Sequence, residues 1–410
     1  MNIFNLAALL VSLAAIFAYL NYRFLKLPST IGLMLISLLF SLGVIVVGKL
    51  GFDPFVKQVH GLMTQLDFSQ ILLNGMLSFL LFAGALHTNI EDLAKQKWVI
   101  LTLASVGVLL STFIIGGVAY HLFAWFELSV SLVYCFLFGA LISPTDPIAV
   151  LGILRKIGAP KSLETKIVGE SLFNDGIGVV VFIALLGIAT GAHHIDLNEI
   201  GLLFIKEALG GALFGLMVGA LTFFLLKSVD NYSVEVLITL ALVMGGYALA
   251  GALHFSGPIA MVVAGLFIGN HGRLLAMSAT TREHLDNFWE LLDEGLNAVL
   301  FVMIGLEMMV LSFTASKIAA ALLMIPVVLA ARFMAVGIPL GVMRLKRQFS
   351  HGAVRVLTWG GLRGGISVAL ALSLPDGPER HILLTVTYVI VVFSILVQGL
   401  TVGPLVKKLT

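Results

Sequence analysis

The sequence is poor in charged residues and has almost no cysteine. Only 11% of its 410 residues are Asp, Glu, Lys or Arg, whereas soluble domains average about 25%. Together with 59% hydrophobic residues and a mean hydropathy of +1.07, this scarcity excludes a soluble globular fold and indicates a polytopic membrane protein. The single cysteine, Cys135, excludes an intramolecular disulfide and a cysteine-based metal cluster.

Sequence motifs for soluble chemistry are also missing. The chain has no Walker loop, no HExxH motif and no basic stripe outside its loops, so neither an enzyme, a cofactor nor a nucleic-acid partner is expected. No basic residue precedes the first apolar run, 3–20, which we therefore interpret as a retained helix rather than a signal peptide. The longest stretch between apolar runs, 271–292, is too short for a soluble domain, so residues 1–410 form one membrane domain.

Apolar runs of membrane-spanning length fill most of the chain. Since roughly 20 apolar residues cross the hydrocarbon core, the sequence predicts about thirteen spans and an all-α fold. The spans lie near 3–20, 29–48, 68–86, 98–124, 128–154, 163–190, 200–227, 234–253, 257–270, 293–311, 317–343, 354–374 and 380–406.

Positive charge is divided unequally between alternate loops. One set of loops holds 17 Lys and Arg residues and the other holds 5, while Arg332 and Arg363 fall inside spans. Because basic loops remain on the cytoplasmic side, this asymmetry predicts an odd number of spans in the plasma (inner) membrane, with the N-terminus outside and the C-terminus in the cytoplasm.

Two predicted spans are interrupted beside a charged residue. Pro144 and Pro147 flank Asp146 in the fifth span, and the glycine-rich segment 360–365 surrounds Arg363 in the twelfth. Proline removes a backbone donor and paired glycines loosen the helix. Matching interruptions in two inverted halves are typical of the substrate site of a secondary transporter. The alternative is that both are ordinary kinks.

Two carboxylates, Asp146 and Asp175, lie in apolar surroundings. An acidic side chain at the bilayer centre costs about 2.5–3.5 kcal/mol, so it usually serves a function. Asp175 stands beside Asn174 and one turn from Ser171, and these oxygen ligands suit Na⁺ or Li⁺. The same carboxylate can bind a proton, and competition between the two would couple their movements. A buried Asp held by neighbouring backbone is the structural alternative.

A further carboxylate, Glu170, needs a cation nearby. Arg332 is the favoured partner and Arg363 the alternative, in a structural ion pair. Asp293 and Glu294 are expected at the start of the tenth span, where negative charge suits a helix N-terminus. Glu307 is expected near the outer end of that span, in solvent.

Several motifs together resemble the monovalent cation/proton antiporter family, in its NhaP and sodium/hydrogen-exchanger branch. They are LPSTIG at 27–32, SPTDP at 143–147, ESLFNDG at 170–176 and WGGLRG at 359–364. The resemblance spans nearly the whole chain. It implies the thirteen-helix Na⁺/H⁺ antiporter fold, with inverted repeats and two broken crossing helices, working as a homodimer by elevator-type alternating access.

The resemblance also divides the helices into two sets. It implies dimerisation helices at about 1–65 and 200–290, and ion-binding core helices at about 68–192 and 293–410. The expected partners are monovalent cations, protons, membrane lipid and a second copy of the chain. The implied role is pH and sodium homeostasis.

The resemblance implies a role for each candidate site residue. Asp175 would bind the ion and the proton, with Thr145 and Ser171 as further ligands of the monovalent cation and Asp146 in support. Asn174 stands where the electrogenic branch has a second aspartate, which implies electroneutral exchange of one cation for one proton. Many relatives carry an acidic residue at the place of Ala83. Its absence leaves K⁺ open beside Na⁺ and Li⁺.

Two other functions are weighed against antiport. An intramembrane aspartyl protease could use Asp146 and Asp175 as a proton-sharing pair, but the sequence has no Gly-x-Gly-Asp motif. A passive cation channel normally repeats its filter by oligomeric symmetry, whereas this chain has one asymmetric site. The protease also leaves the span count and the matching interruptions unexplained.

Overall fold

Helices make up nearly all of the chain that is described. In a computed structural model of the protein, the structure describes residues 3–50, 61, 67–191, 197–345, 349 and 352–409. Extended pairing in this part of the chain is limited to one isolated antiparallel bridge. The predicted all-α fold is confirmed.

The helices follow one another with short connections. In the first half they are α1 (Phe4–Leu25), α2 (Ser29–Lys49), α3 (Phe68–Leu86), α4 (Ile90–Trp125), α5 (Leu132–Ile142), α6 (Ile148–Ile157) and α7 (Lys161–Ala189). In the second half they are α8 (Leu197–Lys227), α9 (Tyr232–Ala252), α10 (Gly257–Leu275), α11 (Ala279–Glu307), α12 (Ala315–Met343), α13 (Ala353–Trp359), α14 (Gly365–Leu372) and α15 (Pro378–Leu409).

Within the described residues, ten helices are long and apolar enough to cross a membrane. The chain is thus a multi-pass membrane protein. The other three predicted spans correspond to the interrupted pair α5–α6, to the interrupted pair α13–α14 and to α11, which carries several acidic residues. The total of about thirteen spans therefore stays a prediction, as does the orientation of the termini.

Both predicted interruptions are present, and they meet. The chain leaves the helix after Ile142 and re-enters it at Ile148, and it does the same between Trp359 and Gly365. At the crossing, the Asp146 backbone N–H donates to the Leu362 carbonyl at 2.8 Å. This crossing brings backbone that is free of helical hydrogen bonds into the protein interior.

Small residues let the helices around the crossing approach closely, as is usual for helices packed in a membrane. A side chain on Gly139 of α5 would overlap the backbone of Thr112 on α4. One turn further along the same face of α4, a Cβ on Gly116 would lie 2.9 Å from the Phe136 Cα and 3.0 Å from the Cys135 carbonyl oxygen. The α4–α5 contact thus depends on glycine from both helices.

Two helices assigned to the core by the sequence pack closely on helices assigned to dimerisation. Gly265 and Gly269 of α10 lie against the α3 backbone, where any side chain would overlap it. Gly305 of α11 lies against Ser37 of α2, and the Ser41 hydroxyl donates to the Gly305 carbonyl at 2.9 Å. The domain division stays a prediction, and parts of the ranges 1–65, 68–192 and 293–410 lie outside the described residues.

The expectation for Asp293 and Glu294 is wrong. Helix α11 begins at Ala279, with Ser278 as its N-cap accepting a hydrogen bond from the Thr281 N–H. Both acids therefore lie in the middle of a long helix, because α11 continues without interruption from the segment 271–292 into the tenth predicted span. Glu307 is the last residue of this helix and is half-buried rather than solvated.

Adjacent glycines on α4 provide a test of its packing. Gly116→Ala should cost about 1–3 kcal/mol, because its new methyl group meets backbone that cannot move aside. Gly117→Ala should be neutral or stabilising by about 0.5–1 kcal/mol, since nothing lies within 4 Å of that position. Thermal unfolding of the purified variants in detergent measures both. Equal unfolding midpoints would contradict this packing.

Candidate functional site

Asp175 is a buried carboxylate to which no described residue donates a hydrogen bond. It lies in α7, beside the crossing, and its side chain is 7% exposed. Among the described residues, none makes a hydrogen bond or an ion pair with its carboxylate. The charged group that acts on it electrostatically is another carboxylate, Asp146. Buried carboxylates are normally hydrogen-bonded or paired. The alternative of an Asp held by neighbouring backbone is therefore not what this geometry shows.

Two polar side chains, Asn174 and Ser171, form a buried network with Thr145. The Asn174 amide donates to the Thr145 hydroxyl at 2.8 Å and accepts from the Thr145 N–H at 3.3 Å. The Ser171 hydroxyl donates to the Thr145 carbonyl at 2.6 Å and lies 3.1 Å from the Thr145 hydroxyl. Both side chains come from α7, one turn apart, so α7 holds the unwound segment beside Asp175.

The amide of Asn174 serves this network as donor and acceptor at once. A carboxylate at this position could accept from Thr145 but could not donate. Asn174 therefore has a structural role in this chain. This role is separate from its lack of charge, which is what the family resemblance pointed to.

Asp146 has a different role in the crossing. Its carboxylate accepts a hydrogen bond from the Ile148 N–H at 2.9 Å, at the start of α6. A side chain on Gly364 would overlap this carboxylate, so the glycine leaves the room that Asp146 occupies. Negative charge at a helix N-terminus is favourable. Asp146 thus neutralises a helix end and shares no hydrogen bond with Thr145, Ser171 or Asn174.

Glu170 is paired with Arg332, the favoured partner. The ion pair joins α7 to α12, and the two residues are 1% and 4% exposed. Arg332 also donates to the Leu357 carbonyl at 3.2 Å. Its guanidinium lies over Gly361, where a Cβ would come within 2.7 Å of Nε.

Arg363, the alternative partner of Glu170, is bonded elsewhere. Its Nη1 donates to the carbonyls of Ser143 and Pro144 at the C-terminal end of α5. Carbonyls at a helix C-terminus carry partial negative charge, which suits a cation. The prediction that Arg363 belongs to the Glu170 ion pair is therefore wrong. Arg363 and Leu362 instead bind one crossing segment to the other.

Sequence reasoning missed two polar residues that support the crossing. The Ser394 hydroxyl accepts from the Arg363 N–H at 2.9 Å and donates to Gln398 Oε1 at 2.7 Å, and the Gln398 amide donates to the Trp359 carbonyl at 3.0 Å. Both lie in a π-helical stretch of α15, a feature frequent at functional sites. The sequence does contain a signal for this pair, namely two polar side chains one turn apart in an otherwise apolar span.

Other groups contribute less to the site. Ala83 of α3 is 1% exposed and brings no ligand. Asp293 of α11, misassigned to a helix start, is near enough to Asp146 for their charges to interact. Among the described residues there is no cluster of His, Cys, Asp or Glu that could hold a metal ion. Within the described residues, the site therefore offers one unpaired carboxylate, with the Ser171 hydroxyl one turn earlier on α7 and the Thr145 hydroxyl 3.1 Å from that of Ser171.

Comparisons with known proteins agree with these features. The family described as "Sodium/hydrogen exchanger, transmembrane" matches residues 10–408. The Na⁺/H⁺ antiporter NhaP of Pseudomonas aeruginosa is 52% identical over 99% of this chain and 96% of its own length. The Na⁺/H⁺ antiporter NhaH of Halobacillus dabanensis is 37% identical over 100% of this chain and 97% of its own.

A solved structure shares the fold. The sodium proton antiporter MjNhaP1 of Methanocaldococcus jannaschii, determined at pH 8, superimposes with a TM-score of 0.76 at 19% identity, over 100% of this chain and 99% of that one. The resemblance carried by the sequence motifs is confirmed. The chain belongs to the sodium/hydrogen exchanger family, whose members are transporters rather than enzymes.

Proposed function

We propose that this protein exchanges H⁺ for Na⁺ across the membrane, with Asp175 as the group that both ions share. The observation that carries the proposal is a buried carboxylate, 7% exposed, that has no hydrogen-bond partner among the described residues and lies beside unwound backbone. The names of two similar relatives, both Na⁺/H⁺ antiporters, support the same activity.

The exchange follows from the cost of a buried charge. A carboxylate without a partner in a low-dielectric interior costs several kcal/mol, and one bound H⁺ or one bound Na⁺ removes that charge. The site therefore crosses the membrane occupied by one ion or the other and not empty. Because the two ions compete for the same oxygens, movement of one drives movement of the other.

The oxygen atoms near Asp175 suit a hard monovalent cation. We assign the Asp175 carboxylate and the hydroxyl oxygens of Thr145 and Ser171 as ligands, with Asn174 holding Thr145 in position. Li⁺ suits the same oxygen ligands, and K⁺ is a further alternative because α3 has Ala83 rather than an acidic residue at that position. With a single exchanging carboxylate, the exchange is electroneutral, and Asp146 remains bound to the α6 N-terminus throughout.

The hydrogen bonds around the crossing support an elevator-type movement. Thr145 is bound to α7, Glu170 of α7 to Arg332 of α12, and Arg363 to α5. These links make the site helices one unit, which would carry Asp175 from one side to the other. Since α3 and α11 pack closely on α10 and α2, we assign both to the static part.

The remaining features of the proposal concern the assembly and its membrane. We propose a homodimer in the plasma membrane, with the N-terminus outside and the C-terminus in the cytoplasm. The support is the basic charge of alternate loops and the exposed apolar face of α8. Exposed large residues on this face are Leu209, Leu213, Met217 and Phe224.

The first test removes the exchanging group. Asp175→Asn and Asp175→Ala should abolish exchange, because neither side chain changes its charge with H⁺ or Na⁺. In everted vesicles with a quenched pH-sensitive dye, wild-type protein should restore fluorescence on addition of Na⁺, and the same assay with Li⁺ and K⁺ ranks the cargo. Asp376→Asn is the matched control, since this aspartate is 89% exposed. Wild-type exchange in Asp175→Asn would overturn the proposal.

The second test concerns competition. If H⁺ and Na⁺ bind one carboxylate, the KM for Na⁺ should fall about tenfold for each pH unit, up to the pH at which Asp175 is ionised. Above that pH the KM should stay constant. Initial rates at a series of Na⁺ concentrations and pH values measure it. A KM independent of pH would exclude competition at a shared group.

The third test asks whether the ion pair between Glu170 and Arg332 stabilises the fold. Glu170→Gln leaves a buried arginine without its carboxylate, which typically costs about 3–5 kcal/mol. Yield and the unfolding midpoint should therefore fall, the latter by roughly 5 °C or more. Glu170→Gln combined with Arg332→Gln removes both charges and should recover much of the loss. If the double variant is as unstable as the single one, charge pairing is not what Glu170 supplies.

A further inference from the structure

Asp293 lies on the side of α11 that meets the crossing. Asp293, Asn297 and Leu300 follow one another about one helical turn apart, so their side chains share one face of the helix. Leu300 packs on Gly365 at the start of α14, where a Cβ would come within 2.6 Å of the leucine side chain. The face that carries Asp293 is therefore directed at the interrupted helices.

Asp293 and Asp146 are both half-buried rather than enclosed. Beside them, Asn297 is 3% exposed; its amide donates to the Asp293 backbone carbonyl at 2.9 Å and also hydrogen-bonds the Asp293 side chain. A charged side chain in a membrane faces the bundle interior or a water-filled cavity, because exposure to lipid is costly. The partial exposure of both carboxylates therefore indicates a water-accessible crevice between α11 and the crossing.

The charges that act on Asp293 are all negative among the described residues. They are those of Asp146, Glu290 and Glu294. Helices α3 and α14, which pack on α11, have no charged residue. The charged residues of the other helices packed on α11 are Arg23 of α1, Lys49 of α2 and Glu235 of α9.

The cation of the crossing, Arg363, does not neutralise this crevice. Its guanidinium donates to the Ser143 and Pro144 carbonyls, and the residue is 2% exposed. The ion pairs of the described residues include none to Asp146 or Asp293. The crevice that leads to the crossing is therefore negative.

We propose that Asp293 is a positioning residue for transport, which together with Asp146 concentrates cations at the cytoplasmic entrance to Asp175. A cleft lined by one sign of charge, with walls of low dielectric constant, raises the local concentration of counter-ions. Asp293 does not move with the ion, since α11 belongs to the proposed static part. It acts only while the site is open to the cytoplasm. This inference rests on the proposed Na⁺/H⁺ antiport.

The pH profile distinguishes this role from a structural one. A negative potential attracts H⁺ and Na⁺ alike, so its loss weakens the apparent binding of both by one factor. Where H⁺ does not compete, the KM for Na⁺ rises by that factor. Where H⁺ competes, the two changes cancel and the KM stays the same.

Asp293→Asn in everted vesicles tests the proposal, because these vesicles present the cytoplasmic face to added Na⁺. At low ionic strength the KM for Na⁺ should rise about threefold in the alkaline range, where the wild-type KM is constant. It should equal the wild-type value at acidic pH. Choline chloride at roughly 0.3 M should reduce the increase to less than about twofold by screening. Asp293→Glu keeps the charge and should keep the wild-type KM.

Glu294→Gln is the matched control, since it removes an exposed carboxylate from the adjacent position and should leave the KM near the wild-type value. In right-side-out vesicles, Asp293→Asn should not change the KM for external Na⁺. A wild-type KM in Asp293→Asn at alkaline pH, an equal increase at acidic pH or on the outer face, or an equal increase in Glu294→Gln would overturn the inference. Failure of the wild-type protein to exchange Na⁺ for H⁺ would instead contradict the proposed function.

Discussion

Backbone that leaves the helix inside a membrane must find its hydrogen bonds within the protein, and the rest of this structure depends on how that is done. The interruption between α5 and α6 places Thr145 in the interior, where Asn174 and Ser171 bind its backbone and hydroxyl. The second interruption supplies a hydrogen-bond acceptor to the first, because the Leu362 carbonyl accepts from the Asp146 backbone N–H. The crossing therefore holds together only as a unit, with α7 beside it.

The same constraint explains where the charges lie. Asp146 faces the start of one helix, and Arg363 faces the end of another, so each compensates a partial charge exposed by an interruption. Glu170 and Arg332 compensate each other across α7 and α12. Among the described carboxylates at the crossing, Asp175 alone has neither a helix end nor a cation beside it. Since a buried charge needs a partner, an exchanging ion can supply it.

Particular residues show how far the amino-acid pattern predicts this arrangement. Pro144, Pro147 and the glycines of 360–365 predicted both interruptions, because their effect on the helix is local. Asp293 was misplaced, because the apolar run that marked the tenth span begins far beyond Ser278, the N-cap at which the helix starts. The paired roles of Ser394 and Gln398 were missed, since their partners lie 31 and 39 residues away.

The sequence by itself determined the membrane class, the all-α fold, the family and the short list of charged residues. Each follows from composition, local helix chemistry or motifs that are continuous in the chain. Only the tertiary structure decided which charges meet, such as Glu170 with Arg332, 162 residues apart, and Arg363 with the end of α5. Buried electrostatics depends on distances of a few ångströms, and distances between separate helices are set by packing rather than by the order of residues.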